Sequence, residues 1–130
     1  MNIVGIDHIA LRMADLDRAV GFYETILGMP IERRCDELGM VQLRAGTSLI
    51  DLVGIRQSDD LGVGELPQSM FRNLDHLCLR VSDFDPEITR IALEKANVAV
   101  GPIAIRYGSS GNAPSLYLTD TEGNGLELRG

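Results

Sequence analysis

Apolar and polar side chains alternate at the start of the chain. Ile6, His8, Ala10 and Arg12 fall on one face, and Asp7, Ile9, Leu11 and Met13 on the other. This period-two pattern predicts a β-strand. The alternation returns further on, with His76, Cys78 and Arg80 facing one way and Leu77, Leu79 and Val81 the other. A helical period follows each strand. Ala19, Val20, Phe22, Tyr23 and Ile26 come after an N-capping Asp15 or Asp17, and Gly28 and Pro30 stop that helix. In the second stretch Asp85 precedes Pro86 at a first helical turn, Ile88, Ile91 and Ala92 supply the apolar face as far as Lys95, and Asn97 ends it. Asp83, like the other aspartates at these entries, reads as a cap. Short strands come next, near residues 31–35, 40–44 and 48–55, and again near 99–105, 115–119 and 125–129.

These two stretches are copies of one another. Residues 7–17 read DHIALRMADLD and residues 75–85 read DHLCLRVSDFD. The match includes histidine, which occurs only twice in the whole chain, so chance similarity is excluded as the explanation. The predicted organisation is α+β, a βαβββ module repeated in tandem within one domain over residues 1–130. Module 1 covers about 1–55 and module 2 about 74–130. Between them residues 56–73 are acidic, contain Gly and Pro, and read as a linker or lid. One βαβββ unit leaves a sheet face uncovered, so two are expected to curve a mixed sheet around a shared cavity or to pair with another chain.

The polar residues in phase with the histidines suggest what fills that cavity. Asp51 lies in the apolar run LIDLV and Glu127 in the run GLELR, each late in its module. A carboxylate in a short apolar strand is costly unless a charge or donor meets it. Two histidines and two carboxylates, supplied symmetrically, predict one divalent metal ion at His8, Asp51, His76 and Glu127, and hence a metal-binding cavity. Zinc, nickel, iron, manganese and cobalt all suit these donors. Arg12 and Arg80 share the phase of the histidines and suit an anionic substrate group, with rim ion pairs as the alternative. Cys78 is expected to line the cavity but not to bind, because Ala10 is its counterpart. Asp51 follows His8 by 43 residues whereas Glu127 follows His76 by 51. The surplus is assigned to residues 105–114, where Arg106 and Tyr107 sit in a Gly/Ser-rich segment readable as a substrate lid or as an ordinary hairpin.

Composition narrows the partners. The 130 residues carry a net charge of −7, which argues against nucleic acid and against an anionic membrane surface. No apolar run approaches the roughly 20 residues of a membrane span, and no signal peptide is visible. Cys35 and Cys78 make no disulfide framework, so reduced thiols and a cytoplasmic location are expected.

The segments GIDHIALRMADLDRAVGFYETILGM and SLYLTDTEGNGLEL together resemble the vicinal oxygen chelate superfamily, which includes glyoxalase I, fosfomycin-resistance proteins, extradiol dioxygenases and bleomycin-resistance proteins. The resemblance spans nearly the whole chain. It implies His8, His76 and Glu127 as metal ligands and places Asp51 at a fourth position, where glyoxalase I relatives usually carry Glu or Gln. Aspartate is one methylene shorter, so Asp51 is either a ligand or a general base beside the metal. Without it, two histidines and one carboxylate remain, the set typical of non-heme Fe(II) oxygenases. The resemblance thus implies a homodimeric, metal-dependent enzyme of lyase or isomerase type acting on a small molecule, with the metal chelating vicinal oxygens. A ring-cleaving dioxygenase is the alternative. A bleomycin-resistance-type binding protein is the other, although those members lack the metal ligands kept here.

Overall fold

The computed structural model describes residue 2, residues 6–55 and residues 74–130; the expected linker at 56–73 lies outside the described residues. The chain forms two compact units, one per module, each with one four-stranded sheet. Module 1 runs β1 (His8–Met13), α1 (Leu16–Gly21), β2 (Ile31–Cys35), β3 (Met40–Ala45) and β4 (Ser48–Gly54). Strand β4 returns parallel to β1, with β3 and β2 antiparallel beyond it, in the order β1-β4-β3-β2. Module 2 repeats this with β5 (His76–Arg80), α2 (Pro86–Lys95), β6 (Ala104–Gly108), β7 (Gly111–Thr119) and β8 (Gly125–Arg129). Its order is β5-β8-β7-β6, and only β5–β8 is parallel. The α+β class and the repeated βαβββ order hold, each module building its own mixed sheet.

Local chemistry explains the helix entries. The Asp15 carboxylate accepts from the Arg18 amide at 3.0 Å, and Asp85 accepts from Glu87 and Ile88 at 3.0 and 2.9 Å. The other two aspartates read as caps do something else. Asp17 lies inside the first turn of α1, where its charge favours the helix dipole, and Asp83 takes a left-handed turn conformation at φ 49°. The first helix is not uniform either. After Gly21 it widens into a π turn at Phe22–Ile26, and both Phe22 and Tyr23 enter the core, their rings edge to face at 5.4 Å. Gly28, at φ 71°, then ends it as expected.

Helix α2 presents a different face from the one predicted. Leu93 is its buried residue, with Pro86, Thr89 and Arg90 in line at helical spacing, while Ile88 and Ile91 are exposed. Helix α1 packs on β4 and α2 on β7, covering sheet faces built from Leu43, Leu52, Leu116 and Leu126. Among the described residues no helix is long and apolar enough to cross a membrane.

The surplus of module 2 has a definite place. From Cys35 to its antiparallel partner Met40 is five residues, and from Ala104 to its partner Ser115 is eleven. Six of the eight extra residues therefore lengthen the β6–β7 hairpin, whose turn is Ser109–Ser110. A strand predicted to end at 105 instead begins at Ala104 and runs to Gly108; Val100 makes only an isolated bridge to Leu118. The segment is a long hairpin and not an open loop.

Candidate metal centre

Strand register decides which side chains share a face. Across β5–β8, His76 pairs with Gly125, Cys78 with Glu127 and Arg80 with Arg129. Across β7–β8, Tyr117 pairs with Glu127 and Ser115 with Arg129. One face of module 2 therefore carries His76, Cys78, Glu127, Tyr117 and Ser115 together. Nε2 of His76 lies 3.2 Å from Oε2 of Glu127, and Nδ1 lies 2.6 Å from Oδ2 of Asp75. An ionised carboxylate only accepts hydrogen bonds, so Asp75 holds the proton on Nδ1 and turns Nε2 toward Glu127.

Glu127 is buried, and its Oε1 has no hydrogen-bond partner. Burial pushes its pKa up, but Ser115, Tyr117, His76 and Cys78 outweigh that and hold it below the ordinary carboxylate value. The Ser115 hydroxyl stands beside the carboxyl without a well-aligned hydrogen bond. Burial, then the neighbouring Glu127, raises both the Cys78 thiol and the Tyr117 phenol. The Tyr117 ring meets His76 edge to face at 5.4 Å.

This pair fits a divalent cation. Two donors about 2.1 Å from one ion at a tetrahedral angle lie about 3.4 Å from each other, close to the 3.2 Å between His76 Nε2 and Glu127 Oε2. The unpartnered Oε1 is a further point of attraction for a cation, since a buried bare carboxylate oxygen is costly.

Backbone features hold the pair in place. Asp120 Oδ1 accepts from the Glu122 and Asn124 amides at 2.9 and 2.8 Å, and Oδ2 from the Asn124 side chain at 2.8 Å. The Asp–Gly–Asn run before Glu127 is thus a closed turn that aims β8. At Gly125 a Cβ would meet the Asp75 carbonyl at 2.5 Å and the His76 Cβ at 3.1 Å. Gly125→Ala is expected to push β5 off β8 at the histidine, destabilising by about 1–3 kcal/mol and weakening metal binding. Thermal unfolding with and without zinc checks this, and wild-type values in both would refute it.

Module 1 repeats the arrangement in register but not in detail. Ala10 pairs with Asp51, as Cys78 pairs with Glu127, and Gln42 stands where Tyr117 does. His8 Nδ1 lies 2.7 Å from Asp7 Oδ1. That hydrogen bond and then the Asp51 charge raise the His8 pKa. Asp51 is buried, and Gln42 Nε2 donates to its Oδ1 at 3.0 Å. Each module thus brings together one histidine and one carboxylate. Among the described residues no three His, Cys, Asp or Glu side chains form a cluster able to hold a metal.

The expected substrate residues divide by face. Arg12 and Arg80 are exposed and share the faces of His8 and His76. Arg106, opposite Ala113, shares the face of Glu127 and acts on the Tyr117 phenol. Tyr107, one position on, alternates to the other face and is 83% exposed, so it does not accompany Arg106. Sequence reasoning missed Gln42, Ser115 and Tyr117, which sit opposite the carboxylates only once antiparallel register is known.

Comparison with known proteins adds a family. The pattern of the Glyoxalase/Bleomycin resistance protein/Dioxygenase superfamily matches residues 5–128. A curated relative, catechol-2,3-dioxygenase of Bacillus subtilis (strain 168), is 24% identical over 123 residues, 95% of this chain; the chain spans 40% of that relative's length. An integron cassette protein from the mobile metagenome of V. cholerae is similar in structure at a TM-score of 0.78 and 25% identity, covering 99% of this chain and 96% of the other. A lactoylglutathione lyase from Agrobacterium tumefaciens shares the fold at a TM-score of 0.70 and 20% identity, over 99% and 95% of the two chains.

Proposed function

The chain belongs to the glyoxalase/bleomycin resistance protein/dioxygenase superfamily, and from that premise we propose that it is a metal-dependent enzyme of glyoxalase-like, lyase or isomerase type. The proposed donors are His8, His76 and Glu127, with Asp51 either a fourth ligand or the general base beside the metal. The observation that carries this reading is the His76–Glu127 pair, 3.2 Å apart and backed by Asp75, with one buried carboxylate oxygen unpartnered. When bound, a divalent ion supplies Lewis acidity toward neighbouring substrate oxygens.

The chain's own residues do the rest. Asp7 and Asp75 fix the histidine tautomers with the proton on Nδ1, leaving each Nε2 lone pair free to bind a metal ion. A carboxylate at Asp51 takes or returns a proton on the substrate carbon, with Gln42 holding its Oδ1 and leaving Oδ2 for that transfer. Tyr117 donates a hydrogen bond to an oxygen developing negative charge. Arg12, Arg80 and Arg106 bind an anionic part of a small substrate. Members of the superfamily often act as dimers, and a homodimer is proposed here too.

One observation favours a second reading. The curated relative is a dioxygenase, and with Asp51 engaged by Gln42 the remaining His8, His76 and Glu127 form the two-histidine, one-carboxylate set of Fe(II) oxygenases. Two assays separate the readings. The first expects turnover of the methylglyoxal–glutathione hemithioacetal or a related α-hydroxycarbonyl with nickel or zinc, and no oxygen uptake. The second expects oxygen uptake with catechol under ferrous iron. Failure of both, in protein that takes up no metal, leaves a bleomycin-resistance-type binding protein.

A further inference from the structure

We propose that Arg129, paired across β5–β8 with Arg80, is the buried anchor of an oxyanion-binding subsite beside the His76–Glu127 pair. Arg129 is a 5% exposed arginine at the end of β8, on the same face as Glu127. Its Nη2 donates to the Gly111 carbonyl at 2.6 Å, and its Nε is buried with no acceptor. Nη1 has no hydrogen bond among the described residues and lies over Gly108. A buried guanidinium that lacks a counter-charge is expensive to maintain.

The neighbours deepen the imbalance. Arg80 is the Cα partner of Arg129, and like charges directly opposite on adjacent strands repel. Among the described residues no carboxylate forms an ion pair with either one. Elsewhere in this acidic protein arginines find partners: Arg44 meets Glu32 at 3.0 Å, and Arg90 meets Glu87 at 2.7 Å. An arginine buried without a carboxylate partner among the described residues suits a planar carboxylate or a tetrahedral phosphate, which the guanidinium fork binds bidentately.

Position gives the ligand a shape. Arg129 follows Glu127 by two strand residues, roughly 7 Å. Its guanidinium leans further away, because Gly111 lies four residues along β7 from Ser115, the Cα partner of Arg129, on the side opposite Tyr117. The oxyanion is therefore several bonds removed from the oxygens that meet the metal, and is not the carboxylate of a simple α-hydroxy acid. Room for the guanidinium is made by Gly108, where a Cβ would overlap Nη1. As a substrate class this rests on the metal-enzyme reading; as an anion site it does not.

Calorimetric titration of inorganic phosphate and of acetate into chelator-treated protein at low ionic strength tests the subsite alone. Wild type is expected to bind one or both, the preferred ion identifying the oxyanion class. Arg129→Met is expected to weaken binding at least about tenfold, the loss of a charged hydrogen-bonding partner. Should that variant not fold by circular dichroism, Arg129→Lys and Gly108→Ala replace it: one keeps the charge without the fork, the other keeps Arg129 but crowds it. Weakened binding in either supports the subsite. Wild type that binds neither ion, or folded variants that bind as tightly as wild type, overturns it. Because no metal is present, failure here leaves the metal reading standing, and anion binding in a protein that takes up no metal removes only the latter.

Discussion

Protein carrying His76→Ala is expected to lose its metal. Wild-type protein purified without an affinity tag should hold about one divalent ion per site, and the variant under about a tenth of that after identical dialysis. The expectation follows from how little else holds the ion on that face. Among the described residues of module 2, His76 and Glu127 form the histidine–carboxylate pair on this face, and alanine leaves a single carboxylate there. It also strands Glu127, whose Oε1 already has no partner, because Oε2 loses its ion pair with His76. A graded companion sharpens the result. Asp75→Asn keeps the imidazole but weakens the acceptor on Nδ1, and should reduce affinity about 10–100-fold without abolishing it. Element analysis by plasma mass spectrometry reads both, with circular dichroism confirming folded protein. Full occupancy in folded His76→Ala would take the metal away from the His76–Glu127 pair and overturn the centre proposed here.

The duplication was legible because its signal is local. Histidine is rare here, each copy carries it beside an aspartate at the start of an alternating strand, and Asp85–Pro86 marks a helix entry in any fold. The carboxylates were legible for a similar reason, since a charge within LIDLV or GLELR has no cheap explanation. What stayed hidden depends on contacts distant in sequence. Glycines at 108 and 111 made the β6–β7 segment look like a loop, yet Gly108 is small because the Arg129 guanidinium lies over it. No local pattern carries that information. The α2 face was misjudged for a related reason: two isoleucines outweigh one leucine in a hydrophobic count, but Leu93 is in line with the turn that packs on β7. Gln42 and Tyr117 became visible only as partners of Asp51 and Glu127 across antiparallel strands.

That pairing also separates the two carboxylates, and Asp51→Asn should behave unlike Glu127→Gln. The two residues occupy equivalent register positions, opposite Ala10 and Cys78. Their surroundings differ. Glu127 has one oxygen on His76 and the other bare, so neutralising it removes the charge the cation would meet, and metal occupancy should fall as it does in His76→Ala. Asp51 has Oδ1 satisfied by the Gln42 amide at 3.0 Å, and a side chain one methylene shorter. It is placed to hold a proton more than to reach an ion. Asp51→Asn, isosteric and still able to face Gln42, is therefore expected to keep its metal within about tenfold of wild-type affinity. Turnover should drop about 10²–10⁴-fold, the usual worth of a positioned general base. Activity and metal content measured on the same samples decide it. Metal lost from Asp51→Asn as completely as from Glu127→Gln makes Asp51 a ligand, whereas metal and turnover both retained give it neither role.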